Sequence, residues 1–154
     1  MKRTLFLIFS VALLCSCRGP QGPKGDPGEG MNWKIVDINV PANKWNYTNY
    51  ADNNFFYSEW DVQSLSSFVY TDGNVQAYIY LDDGNNYEVQ HALPYVRHVE
   101  EVDSKGNAYF YTRTIDCVFG VGYVRFEVRD SDFQYEVDTN INPEAMSFRV
   151  VMTW

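Results

Sequence analysis

A chain of 154 residues is long enough for one ordinary domain with a sizeable core. Its 45% hydrophobic and 21% charged residues are those of a globular protein, and an excess of Val, Tyr, Phe and Thr after residue 30 weights it toward strands. The formal charge of -8 repels nucleic-acid phosphates and anionic headgroups, which argues against nucleic acid as a partner and against electrostatic attachment to a membrane.

The chain begins with a basic pair, Lys2 and Arg3, followed by an apolar run from Leu5 to Leu14. The run is shorter than the roughly 20 residues that span a bilayer, but it has the length of a signal-peptide core. It ends in Leu14-Cys15-Ser16-Cys17: an aliphatic residue, a tolerant position, a small residue and a cysteine. This pattern resembles the lipobox of bacterial lipoproteins, with Cys15 a less usual occupant of the tolerant position. The resemblance implies a signal peptide over residues 1–16, cleavage before Cys17, a diacylglyceryl thioether on the Cys17 sulfur and a further acyl chain on the freed amine. Each buried methylene contributes about 0.8 kcal/mol, so two or more chains anchor stably. Cys15 is the poorer acceptor, because Leu14 and not a small residue precedes it. Once Lys2 and Arg3 are removed, ten basic and twenty acidic residues remain, a net charge of -10. The resemblance also makes the outer membrane the expected destination, since Arg18-Gly19-Pro20 and not an acidic residue follows Cys17; it leaves open which face the domain occupies.

Next come Gly19-Pro20-Gln21, Gly22-Pro23-Lys24, Gly25-Asp26-Pro27 and Gly28-Glu29-Gly30. Glycine at every third position with intervening proline is the pattern of collagen, where only glycine fits the axis of three polyproline chains. The segment resembles the short collagen-like stretches of small bacterial lipoproteins. Four triplets offer few interchain hydrogen bonds against an ordering cost of roughly 1–2 kcal/mol per residue. The expectation for residues 17–30 is therefore a monomeric, semi-rigid stalk, about 3.1 Å per residue and roughly 40 Å long; a trimer is the alternative.

Residues 31–154 read as the folded domain. Alternation marks strands over 33–40, with Val36, Ile38 and Val40 on one face, and over 74–85, with Val75, Ala77, Ile79 and Leu81 on one face. It also marks 121–130, with Val124, Phe126 and Val128 together, and 145–154, with Phe148, Val150, Met152 and Trp154 together. Further candidates are 55–62, 65–71, 86–92 and 108–117. Asp-Gly and Gly-Asn steps around Gly73 and Gly84 predict two hairpins of a meander. Pro94 interrupts or ends a strand, and Asn142-Pro143 forms a loop into the last one. The pattern predicts an all-β antiparallel sandwich of roughly eight strands, with a barrel as the alternative.

The sequence shows little chemistry. No nucleophile elbow or phosphate loop is present. His91 and His98 flank Pro94 without the ligand spacing of a zinc site. Asp82, Asp83, Asn85 and Glu88 offer oxygens but lack the calcium-loop spacing, so they read as a solvated turn. No cofactor or metal is expected. Cys117, alone after processing, has no disulfide partner and sits among Ile115, Val118 and Phe119, the setting of a buried thiol and not of a nucleophile.

The aromatic surplus is the one chemical oddity. Trp45, Tyr47, Tyr57 and Trp60 interleave with Asn and Asp, and Tyr78 and Tyr80 lie on a strand's less apolar face. Flat rings beside amides and carboxylates hold sugars or partner proteins, so these six form the candidate ligand surface. The reading is a non-enzymatic envelope domain that binds a glycan or a protein. A carboxylate-dependent hydrolase and an assembly subunit with a strand donated to a neighbour are the alternatives. Replacing Cys17 by Ser is expected to move the protein from the detergent phase to the aqueous phase in detergent partitioning; unchanged partitioning would contradict lipid anchoring.

Overall fold

The computed structural model describes residues 30–50, 53–82, 84, 88–102, 106–131 and 142–154. The chain divides into two units, Met1–Gly30 and Met31–Trp154. Cys17 and the glycine triplets before Gly30 lie outside the described residues.

The described residues of the second unit hold nine strands: β1 (Trp33–Val40), β2 (Asn46–Tyr50), β3 (Asn53–Asp61), β4 (Asn74–Asp82), β5 (Glu88–Ala92), β6 (Tyr95–Val102), β7 (Ala108–Gly120), β8 (Tyr123–Asp130) and β9 (Met146–Thr153). A six-residue helix, α1 (Ser67–Asp72), lies between β3 and β4. The strands form two antiparallel sheets, β1-β9-β4-β5 and β2-β3-β8-β7-β6, neither closed into a barrel. The protein is an all-β sandwich.

Alternation explains the packing. Ile38 and Val40 of β1, Ala77 and Ile79 of β4, and Phe148, Val150 and Met152 of β9 are buried on the inner face of the first sheet. They meet Ile115 of β7 and Val124, Phe126 and Val128 of β8 from the second. Phe126 and Phe148 stack across the interface, ring centroids 3.9 Å apart and planes 11° from parallel. The C-terminal strand is central: β9 pairs with β1 on one side and β4 on the other.

Three sequence expectations change. Residues 65–71 are not a strand. Leu65 and Val69, four apart, both point into the core, and the Ser66 hydroxyl caps the helix by accepting the Val69 N–H at 3.3 Å, as serine does at helix starts. Gly73 does not turn a hairpin; it ends α1 as the chain passes from the second sheet to the first. Strands β2 and β6 were not expected, which raises the count from roughly eight to nine. The Gly84 hairpin stands, joining β4 to β5.

Two glycines are structurally required. Gly122 turns β7 into β8 with φ +85°, a region that glycine enters freely. A Cβ on Gly73 would lie 2.6 Å from the Val69 carbonyl oxygen and 2.8 Å from that of Thr153. Gly73→Ala is therefore expected to destabilise by about 1–3 kcal/mol, and Phe148→Ala by about 3–5 kcal/mol. Phe110→Ala, on a ring that stays exposed, should stay within about 0.5 kcal/mol. Urea unfolding of the three variants checks the ranking.

Candidate functional site

The first sheet splits at one end. The β4–β9 ladder stops at Ile79 opposite Phe148. Beyond it, β4 continues beside β5 to Asp82 opposite Glu88, while β9 continues beside β1 to Met146 opposite Val40. The two halves fork, and residues 80–82 face 145–147 with no ladder between them.

A cleft of about 420 Å³ occupies the fork. Its apolar lining comes from Ile79, Leu81, Ile115 and Met146; Tyr95 and Arg97 enter from β6 of the other sheet, and Tyr80, Asp82, Glu88 and Glu144 supply further polar groups. The volume is in the range of small-molecule sites, which combine an apolar floor with a few placed polar groups.

Arg97 is the distinctive group. Its Nε is buried and has no hydrogen-bond partner among the described residues. Its Nη2 lies 3.7 Å from the Glu144 carboxylate, too far for a hydrogen bond and, with both side chains partly in water, of small energetic weight. Arg113, its cross-strand neighbour on β7, is committed: its Nε and Nη2 each donate to Asp130 at 2.8 Å. A buried donor without a partner costs about 1–3 kcal/mol, so Arg97 stands ready for an acceptor.

The walls are braced from outside. Trp45, buried in the core, donates its indole N–H to the Glu144 carbonyl at 3.1 Å and meets Phe148 edge-on. The Tyr80 hydroxyl donates to Asp37 Oδ1 at 3.0 Å, and Arg149 holds the same carboxylate through Nε at 2.8 Å and Nη2 at 3.2 Å. These three side chains tie β1, β9 and β4 together just before the fork. The Arg149 hydrogen bond holds the Asp37 carboxyl below its ordinary range, whereas burial and the bond to Asp37 push the Tyr80 phenol up.

Of the six aromatic candidates, only Tyr80 lines the cleft. Tyr78 shares its strand face, on the outside of the first sheet. Trp45 is in the core, and Trp60 packs against it with its indole N–H on Ser58 Oγ at 2.9 Å. Tyr47 lies against Phe56 on β3. Tyr57 occupies the outer face of the second sheet, opposite Glu127. The structure therefore does not gather the six on one surface. Asp82 and Glu88, read from the sequence as turn residues, do line the cleft, and Asp82 also accepts the Gly84 N–H at 2.8 Å. Asp83 and Asn85 lie outside the described residues. His91 and His98 are on different sheets; His98 meets the Thr112 hydroxyl at 3.1 Å. Among the described residues no three His, Cys, Asp or Glu side chains gather as metal ligands.

Sequence reasoning missed Arg97, Tyr95 and Glu144. The signal for the first two was the β6 alternation Tyr95, Arg97, Val99, hidden behind Pro94. Nothing in the sequence marked Glu144.

Two other features are structural. Glu127, buried on the outer face of the second sheet, is clamped by Arg125 at 2.8 Å and by Arg129, and Arg129 also lies over the Phe55 ring. All three lie on β8, so the buried charge is neutralised within its own strand, and losing one partner is what destabilises. Cys117 faces the core, and burial pushes its thiol well up, away from thiolate chemistry. A second hollow of about 480 Å³ lies over β6 and β7, with Ser131 at its rim; it is not enclosed between the sheets.

Comparison with protein-family models, with curated proteins and with solved structures finds no match.

Because the folded pKa of Asp37 lies below its unfolded value of about 3.9, its contribution to stability is complete above that value and is lost as pH falls through the folded one. Arg149→Met should return the Asp37 titration, followed by carboxyl NMR, to the ordinary range. The stability gap between parent and variant should shrink on acidification.

Proposed function

We propose that this protein is a lipid-anchored protein of the bacterial outer membrane whose domain binds a neutral glycan in the fork between β4 and β9. The observation that carries the reading is the unpartnered Arg97 Nε in a cleft that also holds three carboxylates, Asp82, Glu88 and Glu144. An anionic ligand would meet those carboxylates, and a cationic one would meet the guanidinium. A saccharide carries hydroxyls that accept from Arg97 and donate to the carboxylates at once. Tyr80 and Tyr95 add aromatic surface of the kind on which sugar rings pack, and the volume suits one or two rings. Anchoring rests on the Leu14-Cys15-Ser16-Cys17 pattern.

Two other readings meet the same site. An extended peptide could pair with the unladdered edges of β4 and β9, and a carboxylate pair could hydrolyse the glycan it holds. A terminal strand donated to a neighbour has less support, since β9 is already paired on both sides.

The test is a glycan array probed with the full chain carrying Cys17→Ser, followed by calorimetry on any hit. The expected result is binding of neutral oligosaccharides that Arg97→Met weakens by about tenfold or more, the loss of a hydrogen bond from a charged donor. Because Arg97→Met removes an unpaired buried donor from a partly exposed side chain, the variant should unfold at the parent's denaturant concentration or above it. Binding indifferent to Arg97, or confined to peptides, would overturn the glycan reading. Release of new reducing ends would convert it to the hydrolase.

A further inference from the structure

The end of the sandwich opposite the fork has a different surface. The chain enters the domain there, at Met31 and Trp33, and leaves it there, with Asn32 and Trp154 exchanging backbone hydrogen bonds at 2.8 and 3.0 Å. The loop after β3 and the β7–β8 turn meet at the same end: Val62 donates to the Gly122 carbonyl at 2.7 Å, and Gly122 to that of Leu65 at 2.8 Å. The Ser64 hydroxyl, 3.8 Å from the Met152 sulfur, ties this group to the end of β9. Helix α1 completes it, with Gly73 against the Thr153 carbonyl.

Nine large hydrophobic side chains are exposed among the described residues, and five belong to this end: Met31, Trp33, Phe68, Tyr70 and Val121, each at least half exposed. The charged groups near them are few, Lys34, Asp61 and Asp72. The fork end, by contrast, carries Asp82, Glu88 and Glu144 around a single Arg97. Exposed apolar side chains thus concentrate at one end of the described domain, and the carboxylates of the cleft lie at the other.

We propose that Met31, Trp33, Phe68, Tyr70 and Val121 form a face that rests in the interfacial layer of a phospholipid bilayer, which leaves the fork pointing away from it. The proposal depends on the lipid anchor at Cys17 but not on what the fork binds. Three observations select a bilayer as the occupant. The face surrounds Met31, the point where the tether joins the domain. Only thirteen residues, 18–30, separate Cys17 from that point, a reach of roughly 40 Å even when fully extended as polyproline. Trp and Tyr are also the side chains that settle at membrane–water interfaces, with ring in the apolar layer and polar atom in water. A tether this short confines the face to within its own length of the surface, so weak contacts suffice to hold it there.

The experiment uses the mature protein as purified from bacterial cells that process lipoproteins, in phosphatidylcholine vesicles containing a fraction of lipid brominated near the ester end of its chains. Flotation reports anchoring, and bromine quenching of tryptophan emission reports contact. The expected result is flotation with quenching that falls by about half or more in Trp33→Phe, the remainder coming from the half-buried Trp154 at the same end. In a Phe68→Ser, Tyr70→Ser double variant, quenching should fall by about half or more at unchanged flotation. Trp33, Phe68 and Tyr70 are exposed, and matching far-ultraviolet dichroism of each variant confirms that it is folded. Flotation with the same quenching in parent and Trp33→Phe would overturn the face while leaving the anchor intact. A protein that does not float would overturn the anchor and the face together.

Discussion

The stack of Phe126 on Phe148 fixes both the sandwich and its opening. The two rings have centroids 3.9 Å apart and are fully buried, one from each sheet, so they pack the two layers directly against each other. Phe148 is also the last residue of β9 that faces β4 across a ladder. On one side of it the first sheet is continuous and the core is filled by Val150, Met152, Ala77 and Val124. On the other side β4 and β9 part, and the space becomes the cleft. Aromatic bulk at that position, together with the Trp45 edge packed against it, keeps the fork open while the rest of the sheet is closed.

Polar groups continue the same logic. Among the described residues, two charge pairs that cross strands are complete, Asp37 with Arg149 and Arg113 with Asp130, and Glu127 is held within its own strand by Arg125 and Arg129. Inside the fork the pattern fails at Arg97, whose nearest carboxylate is beyond hydrogen-bond reach. Functional sites are where such local incompleteness is tolerated, because a ligand supplies what the fold withholds. Tyr80 belongs to both regions, fixed by Asp37 on one side and lining the cleft on the other.

The inward faces of β1, β4, β8 and β9 were legible in the sequence because each has a two-residue period of Val, Ile and Phe, and one slip would turn every side chain outward. Residues 65–71 misled because a six-residue helix is too short to show a period, and only Leu65 and Val69 carry its signal. Strand β6 was hidden because Arg97, His98, Glu100 and Glu101 dilute its alternation after Pro94. The site was harder to read than the fold. A fork arises from where two ladders end, and Glu144 meets Arg97 only because β8 and β9 belong to different sheets. The aromatic surplus pointed to a ligand surface, yet packing sent Trp45 and Trp60 inward and left Tyr80 alone at the cleft.

In the proposed function the fork, and not the aromatic outer faces, receives the ligand. Nitrogen–proton NMR of the isotopically labelled chain tests it directly, with the Arg97 Nε–H followed beside the backbone amides during titration with neutral oligosaccharides. Binding in the fork is expected to move the Arg97 Nε–H downfield as it gains an acceptor, with amide shifts concentrated at 80–82, 95–97 and 144–147. An unmoved Arg97 signal, with shifts instead around Phe55, Tyr57 and Arg129 on the second sheet's outer face, would contradict it.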